Sequence, residues 1–220
     1  MKSAESVFKP QVKWDNLHFY RKTVVLHGMT VVFCRRFLPK YGDRTVDQMV
    51  QAARSGKQNI VEGLSDGVTS TEIELKLLNV ARGSLRELQE DYRDYLRTRG
   101  LVLWDRMHPR FDGLLAFCRM RNGVEEYSPF FERWSAEEFA NCAITLCCMV
   151  DRMLNSFLRR RAREFMERGG IRERMTAARL GRRQEQHAEI AALKTENANL
   201  RSQVVSLVRE LGRRGGAKGV

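Results

Sequence analysis

Residues 51–67, QAARSGKQNIVEGLSDG, together with Met49 just before them, place small or apolar side chains at Met49, Ala53, Gly56, Ile60 and Gly63. Steps of three and four put these positions on one face of a helix. Two glycines inside a helix cost about 1 kcal/mol each relative to alanine, so an offsetting gain is required, and close approach of a second helix supplies one. Asn59 and Glu62, three apart on the adjoining face, are either a polar latch, to each other or to the next helix, or simply solvated. Gly56, Asn59, Glu62 and Gly63 therefore form a candidate helix-packing motif, echoed by NVARGSLREL at 79–88.

The rest of the chain has the same period. Long helices are expected at about 14–38, 45–66, 69–97 and 135–168. The first carries Leu17, Tyr20, Val24, Val25, Met29, Val32 and Phe37 and stops before Pro39. The other three open on capping-box pairs, Thr45 with Gln48, Thr69 with Glu72 and Ser135 with Glu138, in which each side chain takes an orphan backbone donor. The core stripe of the third is read as Ile73, Leu77, Val80, Ala81, Leu85, Leu88, Tyr92 and Leu96, with Gly100 as its breaker. Its alternating Arg82, Arg86, Glu87, Glu90, Asp91 and Arg93 read as a solvated face. A short helix is expected from His108-Pro109 through Cys118, ending at Asn122-Gly123. The loop after it holds Tyr127, Pro129, Phe130, Phe131 and Trp134, aromatics that either pack against the helices or line a subunit contact. The last long helix buries a stripe from Phe139 to Phe157, passes into arginines from Arg159 and stops at Gly169-Gly170.

The runs ARSGKQNIVEG at 53–63 and TSTEIELKLLNVARGSLREL at 69–88 resemble the four-helix bundle family often encoded in intervening sequences of bacterial 23S ribosomal RNA genes. ANCAITLCCMVDRML at 140–154 and EFMERGGIRERM at 164–175 resemble the branch with a four helix bundle suffix domain. The likeness spans about residues 20–180. It implies an all-α, antiparallel up-and-down four-helix bundle that assembles as a pentamer, and, from one relative that partners a reverse transcriptase, a link to nucleic acid. It implies no enzymatic activity.

Of the net charge of +12, a surplus of nine lies in residues 159–220, where sixteen Lys and Arg face seven Asp and Glu. A basic appendage on a nearly balanced body suits a polyanion, because phosphate neutralisation releases counterions. Residues 159–183 hold ten arginines and no lysine, among them Arg159, Arg160, Arg161, Arg163, Arg172, Arg174, Arg179, Arg182 and Arg183. Arginine pairs with phosphate through two parallel bonds and stacks on unpaired bases, which suits RNA. The alternative is a solvated helical hairpin with Glu164, Glu167 and Glu173 as internal partners.

From Arg183 the apolar spacing becomes a heptad. Ile190, Asn197, Val204 and Leu211 fall at a, and Leu193, Leu200 and Leu207 at d, a pattern for a parallel two-stranded coil. Glu189 with Lys194 and Glu196 with Arg201 sit at g and the following e. The expected organisation is thus a bundle at 14–168, an arginine-rich suffix at 169–182 and a coiled coil at 183–211. The body points to a homo-oligomer of five and the tail to one of two.

Cys34, Cys118, Cys142, Cys147 and Cys148 form no C-x-x-C pair and read as buried thiols. His18 and His27 have no carboxylate or cysteine at a chelating offset, so no metal is expected. Ser55-Gly56-Lys57 lies inside a helix and lacks the rest of a phosphate loop. The Glu-x-x-His pairs of a di-iron bundle are missing, and no catalytic residue or cofactor is expected. Without an apolar signal core or a membrane-length run, the expected setting is the cytoplasm. Two functions remain: an oligomeric bundle holding RNA or another nucleic acid through its arginines, or a protein adaptor using the coil and the bundle surface.

Overall fold

The computed structural model describes residues 12–39, 44–67 and 69–215, and every regular element among them is helical. A one-turn 3-10 helix at Trp14–Asn16 leads into α1 (His18–Phe37), α2 (Arg44–Asp66), α3 (Thr71–Thr98), α4 (Phe111–Met120), α5 (Ala136–Arg168) and α6 (Ile171–Gly215). Further 3-10 turns at Val124–Glu126 and Ser128–Phe130 separate α4 from α5. The chain divides into two compact units, Met1–Ile171 and Arg172–Val220. In the first, α1 lies against α2 and α5, and α3 against the same two, so the four long helices share one core.

The glycine face is where α2 meets α3. A Cβ on Gly56 would lie 2.7 Å from Cδ2 of Leu85, and one on Gly63 would lie 3.1 Å from Cβ of Leu77. Leu85 is itself buried at 1% exposure and has little room to retreat. The polar pair beside this face is arranged differently from a latch. Asn59 donates to the carbonyl and hydroxyl of Ser55 on its own helix, and Ser55 meets the Ser84 hydroxyl of α3 at 3.0 Å. Glu62 is exposed.

Phe33 of α1 is the hub of the aromatic core, with ring centroids 4.9 Å from Tyr92, 4.7 Å from Tyr95 and 5.7 Å from Phe139. The buried Tyr92 hydroxyl donates to Thr30, whose own hydroxyl donates to the Leu26 carbonyl, so neither hydroxyl is stranded. The aromatic loop folds onto the same core: Tyr127 and Phe131 are buried, and Trp134 stands edge-on to Phe139.

Helix ends follow local chemistry. Ser135 and Glu138 form the capping box of α5, with bonds of 3.2 and 2.8 Å. α3 ends in a Schellman motif in which Leu101 donates to Leu96 and Gly100 to Arg97, with Gly100 at φ 65°. Two starts differ from expectation. Thr45 lies inside the first turn of α2, which begins at Arg44. The cap of α3 is Ser70, whose hydroxyl accepts from the Ile73 amide, while Thr69 turns back to the Asp66 carbonyl.

The α3 stripe also differs. Ile73 and Val80 are exposed, and the buried line is Glu74, Leu78, Ala81, Leu85, Leu88 and Tyr92. Arg86, Glu87 and Glu90 are exposed, as their alternating charges imply, but Arg82 is only 16% exposed, and it and Arg86 donate to Asp151 of α5, at 2.9 and 3.2 Å. These bonds outweigh the effect of burial and hold the Asp151 carboxyl below its ordinary pKa.

Two mid-helix glycines give opposite expectations. Gly56→Leu should destabilise the protein by about 3 kcal/mol through overpacking. Gly83, with nothing within 4 Å of an added Cβ, should tolerate alanine and gain up to about 1 kcal/mol. Thermal melts of the two variants check the sign of each.

Candidate functional site

The arginines at the end of α5 separate into two kinds. Arg159, Arg160 and Arg163 are exposed. Arg161 turns inward: its Nε donates to Oε1 of Glu74 at 2.6 Å and its Nη2 to Oε2 at 2.9 Å. Glu74 is fully buried and Arg161 is 13% exposed. A third bond, from Nη1 of Arg161 to Glu164, spans 2.9 Å. Burial disfavours the charged guanidinium, yet the bonds to Glu74 and Glu164 outweigh it and raise its pKa. The guanidinium is thereby committed to the fold, since a two-bond pair uses the geometry a phosphate would require. Arg160 lies 5.2 Å over the Phe157 ring and within 4.0 Å of Glu164, both contacts that leave it open to solvent.

In the second unit, α6 runs without a break through both the predicted suffix and the predicted coil. Gly181 sits inside it without interrupting it. Arg172, Arg179, Arg182 and Arg183 are exposed and Arg174 is half-buried. Arg182 pairs with Glu185 at 3.3 Å, but both side chains are more than two-thirds exposed, and such a pair contributes little.

Further along α6 the heptad side chains stand in solvent. Exposure runs from 50% at Ile190, through Leu193, Leu200, Val204 and Leu207, to 68% at Leu211. Asn197, in their midst, is exposed as well. A line of large apolar groups this long on one helix is unusual for a surface that no partner covers.

Two buried charges escape a reading of the sequence. Glu74 is one. Lys22 of α1 is the other: its ammonium donates to the carbonyls of Cys118 and Arg121, the latter at 2.7 Å, and so satisfies the C-terminal end of α4. Burial lowers its pKa. Spacing holds a signal for both, because Lys22 continues the buried series Phe19, Leu26, Met29 and Phe33, and Glu74 continues Leu78, Ala81, Leu85 and Leu88. Cys118 and Cys142 meet with Sγ atoms 3.7 Å apart in the core, and burial raises the Cys142 and Cys147 thiols, which disfavours the reactive thiolate.

No family model, no curated protein and no solved structure matches this chain.

The division among the arginines is measurable. Arg161→Gln removes the two-bond charged partner of a buried carboxylate and should lower the unfolding free energy by about 3 kcal/mol. Arg160→Gln should change it by less than about 0.5 kcal/mol. Urea denaturation of the two variants makes the comparison.

Proposed function

We propose that this chain is a non-enzymatic, oligomeric helical protein that binds nucleic acid through its C-terminal arginines. In this reading the first unit is an antiparallel up-and-down four-helix bundle, as the family resemblance implies, and α6 is both its binding arm and a means of association. The observation that carries the proposal is the composition of α6: exposed arginines and an uncovered heptad seam share one uninterrupted helix.

The seam asks for a second copy of the same helix. Fully burying a Leu, Ile or Val side chain stabilises by about 1.5–3 kcal/mol, and six such residues lie half or more exposed. In a parallel pair, Glu189 and Glu196 of each chain face Lys194 and Arg201 of the other, and Asn197 meets its counterpart. Three heptads are marginal alone, but a body that also assembles raises the local concentration of the tails. If the body is a pentamer, the tails pair where they can within or between rings.

Each unit then presents exposed arginines of its own, Arg159, Arg160 and Arg163 on α5 and Arg172, Arg179, Arg182 and Arg183 on α6. The competing reading, a protein adaptor, is favoured by the apolar seam considered without the arginines.

Salt separates the two. The purified chain should carry nucleic acid, seen as an absorbance ratio that falls after nuclease treatment. Changing Arg172, Arg179, Arg182 and Arg183 to glutamine should weaken binding to a labelled oligonucleotide and flatten its salt dependence, by about 0.9 in log–log slope for each phosphate no longer neutralised. An affinity indifferent to salt and to these substitutions would instead support the adaptor.

A further inference from the structure

The heptad of α6, continued toward its N-terminus, does not run out into a random charge coat. Counting back from Ile190 at a, the d and a positions are Gln186, Arg183, Arg179, Thr176 and Arg172, and Arg182 falls at g. Four of the five arginines between 172 and 183 thus lie on or beside the line that is apolar farther along. The opposite positions, b, c and f, hold Ala177, Ala178, Gly181, Gln184, Glu185 and Ala188, with Arg174 the one arginine among them. A helix made only for solvation would be arranged the other way round, with small residues inside and charges outside.

Helical continuity from 171 to 215 gives this register its meaning, because one uninterrupted helix carries both halves. Where two copies pair through Ile190 to Leu211, the same faces turn toward each other at Arg183, Arg179 and Arg172. Like charges at a and d cannot be buried against their own copies, so the helices must part there. The result is a fork with arginines lining its inner faces.

We propose that this fork is a grip for double-stranded DNA, each basic half lying in the major groove on one side of the duplex. The inference rests on the nucleic-acid reading above and names its substrate. Twelve residues from 172 to 183 span about 18 Å of helix, and a helix about 10–12 Å across fits a B-form major groove about 12 Å wide. A continuous basic helix diverging from a two-stranded coil is an established way of straddling duplex DNA. The deep, narrow major groove of A-form RNA does not admit such a helix. Continuity of α6 therefore shifts the preferred ligand from RNA, which arginine content alone suggested, to duplex DNA.

Fluorescence anisotropy on the full chain tests this, with labelled DNA duplex, RNA duplex and single-stranded RNA of matched length and sequence. The expected result is that DNA duplex binds at least about ten-fold tighter than either RNA. Arg179→Gln with Arg183→Gln, four charges in the dimer, should reduce the salt slope on DNA by about 3–4. Leu193→Gln with Leu200→Gln, which separates the coil without changing the charge and leaves every arginine in place, should weaken DNA binding as well. Equal affinity for single-stranded RNA and DNA duplex, or DNA binding unaffected by the coil substitutions, would overturn the fork and leave the nucleic-acid reading standing. Absence of binding to all three probes at low salt would overturn both.

Discussion

The arrangement of the first unit depends on how closely α2 and α3 approach. Gly56 lets the second helix come within a distance that a single methyl group would violate, Gly63 leaves room only for tight contact, and the same approach continues to the junction between the helices. There a Cβ on Gly67 would lie 2.8 Å from the Glu74 carboxyl group. The glycine seam thus makes room for a fully buried acid at the start of α3. That acid fixes Arg161, which fixes the far end of α5. While Arg161 is held inward, Arg159, Arg160 and Arg163 stand exposed on the same turns. A packing constraint in α2 is therefore linked, through one buried charge, to the inward turn of one arginine of α5.

α6 is governed by the opposite condition. The long helices of the first unit bury their apolar stripes against one another, whereas the stripe on α6 lies open for three heptads. Helical stability in water comes chiefly from covering such a face. The same register that makes the seam sticky makes its N-terminal continuation repulsive between like copies, since leucine and isoleucine at a and d give way to arginine. The apolar seam and the charge are thus one pattern read along one helix.

Much of this is legible in the sequence. The glycine face, the Ser135 capping box, the Gly100 terminator and the stop at Gly169-Gly170 are local signals, and the structure realises each close to where the residues place it. The stripes of α1 and α3 are legible in part: Val25, Met29 and the run from Ala81 to Leu96 are buried as their spacing implies. An apolar-only reading misses Leu26 and Phe33 beside Lys22, and takes Ile73 and Val80 in place of Glu74 and Leu78, because it excludes charged residues that the true stripes contain. Lys22 and Glu74 are buried because each meets a partner distant in sequence, carbonyls at the end of α4 in one case and Arg161 in the other. Nothing local announces such pairs. The same holds for Arg82, which looks like a member of an exposed charge pattern until Asp151 of α5 is beside it. At the start of α3, Thr69, Ser70 and Thr71 are all capable caps, and the turn back to Asp66 decides in favour of Ser70. The change from suffix to coil is a change in what one helix face carries, not a change in backbone.

Disulfide trapping across α6 tests the central claim, that its open seam is closed by a second copy in parallel register. Asn197→Cys places a thiol at a core a position, opposite its own counterpart only in that arrangement. Under mild oxidation the full chain should run as a species of about twice 25.5 kDa that returns to monomer on reduction, while Ala198→Cys, one residue outside the seam, should stay monomeric. Failure of Asn197→Cys to cross-link, or equal cross-linking from both positions, would contradict the account.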